Sequence, residues 1–217
     1  MTDAPTATAT ALPEPARLYD QPRAPNPRRV NIFLAEKGVD FPRETLDLMQ
    51  GEHRAQGYTR LTGIAQVPAL ALADGRVLTE TVAICRYVEA LHPEPNMLGR
   101  DPLEIAEIEM WQRRVEFGLY QAVATCFRHT NRHLAVLENQ VAEWGEINRG
   151  RIAERLAALD ARLQGRDWIA ADRLTIADIT GIVAVDFLRI IKYPLPEELG
   201  ALGAWLARMR ARPSTAF

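Results

Sequence analysis

Asn26 is a candidate for a role in binding or catalysis, because it lies between two prolines directly before a predicted helix. Residues 24–30 read APNPRRV, directly after a short apolar run at residues 17–19. Asparagine is a favoured N-cap and proline suits the first helical position, so we predict a helix capped by Asn26 that begins at Pro27. The positive end of its dipole favours an anion such as a thiolate. The alternative is that Asn26 only caps the helix.

Glu80 and Thr81 place a carboxylate beside a hydroxyl where a predicted strand gives way to a helix. The helix start and the Thr81 hydroxyl can bind a ligand carboxylate, and the Glu80 carboxylate can bind an ammonium group. Those are the two charges of an α-amino acid head group. The alternative is an ordinary helix start with Thr79 as its cap.

Groups that suit an extended peptide lie between these two segments. Pro68 opens a predicted strand without donating to the sheet, and a cis bond before it would leave the Val67 backbone free to pair with a peptide. His53, Arg54 and Gln66 can hold a second carboxylate. The alternatives are an ordinary edge-strand proline and a solvated polar loop.

The elements around these residues form a small α/β unit. Strands are predicted at residues 17–19, 44–48, 67–72 and 76–78, and helices at residues 27–37 and 79–91. Gly38 just past the first helix and the hairpin signal Asp74-Gly75 support these boundaries. The predicted order is βαβ followed by ββα.

The rest of the chain is helical in pattern. Helical segments are predicted at residues 102–134, 143–163 and 197–211, and Thr175 to Asp178 form a capping box at the start of another helix. We therefore divide the chain into a disordered extension at 1–16, an α/β domain at 17–92, a linker at 93–101 and an all-helical domain at 102–217.

Composition argues against several function classes. A net charge of −2 and a pI of about 6.1 give no basic footprint for nucleic acid, and no apolar run is long enough to span a membrane. Cys85 and Cys126 form neither a CxxC pair nor a metal cluster, and their helical surroundings favour buried small hydrophobes over nucleophiles. We expect no bound metal and a cytoplasmic location, because the N-terminal stretch is not a signal peptide.

Taken together, three motifs resemble the cytosolic glutathione transferase superfamily over roughly residues 17–212. They are QVPAL at residues 66–70, LTETVAI at residues 78–84 and TIAD at residues 175–178. The resemblance implies a thioredoxin-like α/β N-terminal domain followed by an all-α C-terminal helical bundle, usually as a homodimer. It also implies glutathione as the co-substrate.

The same resemblance implies a role for each matching residue. Val67, before a cis Pro68, pairs with the cysteinyl backbone of glutathione. The γ-glutamyl head binds to Glu80 and Thr81, where the hydroxyl of a threonine replaces that of the more usual serine. The glycine carboxylate is held by two further side chains, His53 and Gln66.

The catalytic position departs from the commonest patterns of the superfamily. No tyrosine, serine or cysteine occurs between Asp20 and Pro27. Pro25-Asn26 resembles the bacterial nu-class and yeast prion-precursor-like branch, where an asparagine lies near the glutathione sulfur, although that branch has a glycine where this chain has Pro27. Asn26 is therefore the predicted catalytic residue. Tyr19 is the runner-up, because its phenol can donate to sulfur, but a buried strand tyrosine usually belongs to the core.

The resemblance places a second-substrate pocket between the domains, facing the helices after Asp101. Trp111, Arg114 and Tyr120 are the candidates to line it, although aromatic residues at helical spacing are also typical of a core. Three more side chains face either the sulfur or water: Arg128, His129 and Arg132.

The predicted function is a glutathione transferase that holds glutathione as its thiolate. The thiolate passes to a small hydrophobic electrophile, or it reduces a disulfide or a peroxide. The alternative is a non-catalytic interaction protein of the same fold. The Val67-Pro68 and Glu80-Thr81 segments favour the enzyme, because they keep the glutathione-binding pattern.

Overall fold

The computed structural model describes residues 11–216 and contains a four-stranded sheet in the order β2–β1–β3–β4. β1 (Pro15–Asp20) runs parallel to β2 (Arg43–Thr45) and antiparallel to β3 (Ala69–Leu72), which pairs with antiparallel β4 (Val77–Thr79). Most of the predicted disordered extension lies outside the described residues. Its last two residues belong to β1, so the strand begins earlier than the apolar pattern indicated.

Three helices pack on the two faces of this sheet: α1 (Pro25–Lys37), α2 (Gln56–Thr62) and α3 (Thr81–Leu91). Successive strand residues point to opposite faces, so Leu18 joins the main core with α1 and α3 while Tyr19 packs beside Tyr58 of α2. α2 was not predicted, because its sequence QGYTRLT has little apolar periodicity and lies in a polar stretch.

The start of α1 corrects the predicted cap. Ala24, in the extended conformation, is the N-cap, and Pro25 rather than Pro27 is the first helical residue. A residue before proline is pushed toward extended backbone, which suits Ala24 to this position. Asn26 therefore lies inside the first turn, and its side chain caps nothing in α1.

The second half of the described chain is helical. Its helices are α4 (Pro102–Arg113), α5 (Gln121–Thr130), α6 (Ala142–Leu163), α7 (Ile176–Phe187) and α8 (Gly200–Arg210). A seven-residue π-helical segment, Arg114–Tyr120, joins α4 to α5. Insertions of this kind change which side chains face inward and often occur at functional sites.

The predicted capping box at the start of α7 is confirmed. The Thr175 backbone N–H and hydroxyl each donate to Oδ2 of Asp178 at 3.0 Å. The other carboxylate oxygen accepts from the Ile169 N–H at 2.9 Å and from the Trp205 indole at 3.0 Å. One buried carboxylate therefore joins the start of α7, the loop before it and α8.

Ion pairs at α1 join the two halves of the chain. Arg28 donates to Asp186 of α7 at 2.7 Å. Glu36 accepts two hydrogen bonds from Arg212, at 2.7 and 2.6 Å, and one from Ser214. Arg28 thus holds the start of α1, and Glu36 its last turn, against the helical half.

Candidate active site

A cleft between the two halves of the chain collects most of the predicted site residues. One wall comes from the α/β half: Asn26, Ile64, Gln66, Val67, Pro68, Glu80 and Thr81. The opposite wall comes from the π-helical segment and α5: Glu116, Phe117, Tyr120, Gln121, Ala124 and Arg128. The cleft therefore brings side chains far apart in sequence to one surface.

Asn26 is oriented by a tyrosine from the opposite wall. The Tyr120 hydroxyl donates to the Asn26 Oδ1 at 2.6 Å. Burial raises the pKa of Tyr120, against the smaller opposing effect of Arg29, so this phenol stays protonated and remains a donor. With its oxygen occupied, the Asn26 amide keeps its two N–H donors for the cleft.

The start of α1 offers fewer backbone donors than the sequence suggested. Pro25 and Pro27 have no N–H, and the Arg28 N–H already donates to the Ala24 carbonyl at 3.0 Å. The Asn26 N–H is the donor left in this turn. The backbone and side-chain donors that the first turn of α1 offers to the cleft thus both belong to Asn26.

The other end of the cleft is built around the start of α3. Glu80 is the N-cap and has a backbone φ of 67°, a region that non-glycine residues rarely adopt. Such strain often occurs at functional sites. The Thr81 side chain is buried and accepts a hydrogen bond from Arg29 at 2.9 Å. Its own proton therefore remains available to a ligand.

The peptide bond between Val67 and Pro68 is cis, as predicted. Within the described residues, neither the N–H nor the carbonyl of Val67 takes part in a backbone hydrogen bond. The adjoining strand β3 begins only at Ala69. The Val67 backbone is therefore free to pair with an extended ligand at this wall.

His53, Arg54 and Gln66 come together at the edge of the cleft nearest α2. His53 is buried, its Nδ1 has no partner among the described residues, and burial together with the neighbouring Arg54 charge lowers its pKa. Arg54 reaches across the cleft and donates to the Leu137 carbonyl at 2.5 Å. This corner presents a cation beside a neutral imidazole, which suits a carboxylate.

The cleft widens beyond Asn26 into an aromatic compartment. Phe187 lies 6.1 Å from the Tyr120 ring and 5.1 Å from the Phe127 ring, measured between ring centres. Leu134 and Leu137, from the connection between α5 and α6, complete the apolar lining. Of the three residues predicted to line a second-substrate pocket, Tyr120 lies here.

The other two candidates lie elsewhere. The Trp111 ring contacts the guanidinium groups of Arg114 and Arg162, which lie 4.8 and 4.5 Å from the ring centre. Trp111 and Arg114 line a groove beside Arg155 of α6, away from Asn26. Neither residue is among those that line the cleft around Asn26.

Tyr19, the runner-up for catalysis, is a packing residue. Its ring contacts Tyr58 edge-on at 5.6 Å between ring centres, and it packs against the small core cluster on the α2 face. It does not line the cleft. Both cysteines are buried as expected, and burial raises the pKa of the Cys85 thiol.

Of the three remaining polar candidates, one faces the cleft. Arg128 lines it, with Glu138 at 3.7 Å. His129 instead accepts from the Val141 N–H at 3.0 Å, and Arg132 lies on an exposed turn after α5.

Three further residues at the cleft were not predicted from the sequence: Arg29, Glu116 and Phe187. Arg29 is completely buried and donates to Glu116 at 2.5 Å. A charged residue in an apolar helical stretch was the available signal for Arg29. Nothing local marks Glu116 or Phe187, because the π-helical segment and the packing of α7 bring them to the cleft.

An α/β half, a helical half and a cleft between them define a class: the chain belongs to the glutathione S-transferase family. Residues 24–91 match the family model described as "Glutathione S-transferase, N-terminal domain", and residues 120–213 match "Glutathione S-transferase, C-terminal domain". Glutathione is the co-substrate in this family, and the predicted fold class is confirmed.

Individual relatives cover nearly the whole chain. "Glutathione S-transferase 2" of Saccharomyces cerevisiae is 37% identical over 203 residues, covering 91% of this chain and 86% of the relative. A solved glutathione S-transferase domain-containing protein from Marinobacter aquaeolei VT8 aligns with a TM-score of 0.89 and 37% identity, covering 92% of this chain and 99% of its own. Gtt2 from Saccharomyces cerevisiae aligns with a TM-score of 0.87 and 36% identity, covering 92% and 98%.

A relative named for a different reaction also matches. Maleylacetoacetate isomerase of Pseudomonas aeruginosa is 31% identical over 172 residues, covering 75% of this chain and 76% of its own. Within residues 11–216, no helix is long and apolar enough to cross a membrane, and no three His, Cys, Asp or Glu side chains are grouped to hold a metal.

Proposed function

We propose that this protein binds glutathione with its sulfur at Asn26 and transfers it to a small electrophile. The observation that carries the proposal is the Tyr120 hydroxyl on the Asn26 Oδ1 at 2.6 Å. This contact leaves the Asn26 side-chain N–H₂ and backbone N–H as donors at the positive end of α1. Donors held toward an anion stabilise a thiolate and lower the pKa of the thiol.

From the sulfur at Asn26, the two ends of glutathione extend in opposite directions along the α/β side of the cleft. Toward α3, the γ-glutamyl carboxylate accepts from the Thr81 hydroxyl and the helix start, and its ammonium group binds Glu80. The cysteinyl backbone pairs with Val67. In the other direction, the glycine carboxylate binds at the corner formed by His53 and Gln66, where Arg54 adds a positive charge.

The reaction we propose is attack by the glutathione sulfur on an electrophilic atom of the second substrate. The sulfur forms a bond to that atom, the leaving group departs with the bonding electron pair, and the thiol proton goes to solvent. The aromatic compartment at Phe127 and Phe187 supports an apolar, flat second substrate.

Glutathione-dependent reduction of a disulfide or a peroxide is the second candidate. Asn26 favours it, because an asparagine near the sulfur is the feature shared with the nu-class branch. In this reaction the thiolate attacks one sulfur of the disulfide or one oxygen of the peroxide, the S–S or O–O bond breaks, and a thiol or an alcohol leaves with a proton from solvent. A second glutathione thiolate then attacks the sulfur of the resulting mixed disulfide or sulfenic acid, which gives oxidised glutathione and releases the second thiol or water.

We further propose a homodimer in the cytoplasm. Exposed apolar side chains on α4 and the π-helical segment support an interface there: Leu103, Ile105, Met110 and Phe117. The two cysteines are free and buried, which is consistent with a reducing compartment.

Calorimetric titration with glutathione and with S-methylglutathione tests the binding proposal. We expect both to bind wild type, and Thr81→Ala to weaken both by about tenfold, a hydrogen bond to a charged group being worth about 1.5 kcal/mol or more. Turnover of an aryl halide and of a glutathione mixed disulfide then separates the two reactions. Absence of binding by wild type at millimolar glutathione would overturn the proposal.

A further inference from the structure

Arg29 is a buried cation that contacts both ends of the cleft without lining it. Its side chain is 0% exposed. Its Nη1 donates to the Thr81 Oγ1 at 2.9 Å and to the Glu116 Oε1 at 2.5 Å. Its guanidinium carbon lies 4.8 Å from the centre of the Tyr120 ring. The three groups that it touches come from α3 and from the π-helical segment.

Burying this charge is costly, so stability alone is a poor explanation for it. Glu116 is its one ion-pair partner within the described residues, and the Arg29 Nε and Nη2 have no hydrogen-bond partner there. The Glu116 carboxylate also accepts a hydrogen bond from the Gln112 side chain at 3.3 Å and pairs with Arg113 at 3.6 Å. Replacing a buried ion pair by apolar residues is often neutral or stabilising. The geometry points to a role in orienting the groups around it.

At the α3 end, Arg29 fixes which way the Thr81 hydroxyl points. A hydroxyl that accepts from a guanidinium must direct its own proton elsewhere. Because Arg29 approaches from the protein interior, the Thr81 proton is left for the cleft, where the proposed head-group carboxylate lies.

At the α1 end, Arg29 acts through Tyr120. The guanidinium over the Tyr120 ring holds the ring by a cation–π contact, and the hydroxyl of that ring holds the Asn26 oxygen at 2.6 Å. The direction of the Asn26 amide N–H₂ therefore depends on a residue that does not itself reach the sulfur.

We propose that Arg29 is a positioning residue that sets the donor geometry at both the head-group end and the sulfur end of the cleft. This inference rests on the proposed function, because it requires that glutathione binds there as described. Arg29 itself does not contact the substrate. Its effect at the sulfur passes through Tyr120 and Asn26, whereas its effect at the head group passes through Thr81.

The test uses two readouts on Arg29→Lys, which keeps the charge but loses the planar fork. Thiolate absorbance against pH gives the pKa of bound glutathione, and calorimetry gives the affinity for S-methylglutathione, which has no thiol. We expect the thiolate pKa to rise by about one unit and S-methylglutathione affinity to fall about tenfold. The control Arg173→Lys changes a partly buried arginine that pairs with Glu104 outside the cleft, and it should leave both readouts at wild-type values.

Combining Arg29→Lys with Asn26→Ala distinguishes the effect that passes through Tyr120 and Asn26 from the effect that passes through Thr81. There, Arg29→Lys should no longer move the thiolate pKa, while the loss of S-methylglutathione affinity should persist. If Arg29→Lys does not fold, the double variant Arg29→Met/Glu116→Gln replaces the ion pair without changing the net charge, and it should also raise the thiolate pKa. Wild-type values for the folded variant, or a pKa shift that survives Asn26→Ala, would overturn the inference. Failure of wild type to bind glutathione would instead overturn the proposed function.

Discussion

At the scale of single residues, the site depends on how an amide is oriented. Asn26 has a donor and an acceptor at one end of its side chain, and only the donor suits a thiolate. The Tyr120 hydroxyl donates to the Asn26 oxygen and so determines which end of the amide faces the cleft. The identity of Asn26 as a candidate could be predicted from the sequence, but its orientation could not, because Tyr120 lies far away along the chain.

Tyr120→Phe therefore tests the orientation directly. The ring remains for Arg29 and Phe187, but the Asn26 amide loses the donor that holds its oxygen. We expect kcat with an aryl halide to fall about tenfold, corresponding to about 1.4 kcal/mol, with little change in the glutathione KM. Tyr87→Phe is the matched control, because its hydroxyl donates at 2.6 Å to the Pro13 carbonyl, away from the cleft. Equal rates for Tyr120→Phe and wild type would contradict the orientation argument.

At the scale of elements, local patterns were sufficient where one helix or strand carries its own signals. Gly38 ends α1 in the left-handed conformation, and the Thr175–Asp178 box begins α7. Two features depend on more than local pattern. The Pro25-Asn26-Pro27 run predicted a helix start at Pro27, whereas α1 begins at Pro25. The π-helical segment has no sequence signature, so the inward direction of Glu116 and Tyr120 could not be predicted.

Asp178→Ala tests the element that positions α7 and hence Phe187. It would leave the Ile169 N–H, the Thr175 N–H and the Trp205 indole without their acceptor in a buried site. We expect the free energy of unfolding in urea to fall by more than about 3 kcal/mol. Asp172→Ala is the control, because that side chain is 95% exposed and should change stability by less than about 0.5 kcal/mol. If the free energy of unfolding falls by a similar amount in the two variants, the capping box does not determine stability.

At the scale of the whole molecule, the cleft exists because two halves of the chain are held in one arrangement. The α/β half and the helical half were each predicted from composition and periodicity. Their relative placement was not, because the contacts between α1 and the last residues of the chain join positions far apart in sequence. Glu36 and Arg212 are the clearest example of such a contact.

Acid should weaken this contact in a defined direction. Burial alone would raise the pKa of Glu36, but hydrogen bonds from Arg212 and Ser214 outweigh it, so the folded pKa lies below the ordinary value of 4.5. A carboxyl with a lowered folded pKa stabilises the fold above its unfolded pKa and loses that contribution as pH falls below it. The stabilisation by Glu36 is therefore full at neutral pH and declines below about pH 4.5.

Urea unfolding of wild type and Glu36→Gln between about pH 7 and pH 3 checks this. We expect Glu36→Gln to be less stable at neutral pH and to lose less stability than wild type on acidification. Glu44→Gln is the control, since its pair with Arg17 is exposed and such pairs contribute little. If the free energy of unfolding changes with pH in the same way for Glu36→Gln and wild type, the contact does not contribute as described.

The proposed function requires that this cleft holds glutathione as a thiolate at Asn26. The most direct measurement is the pH titration of thiolate absorbance for glutathione bound to wild type and to Asn26→Ala. We predict a thiolate pKa in the wild-type complex well below the value of about 8.5 for a free cysteine thiol, and a return toward that value in Asn26→Ala. Bound glutathione that titrates near the free value in wild type, or identically in the two proteins, would contradict the account.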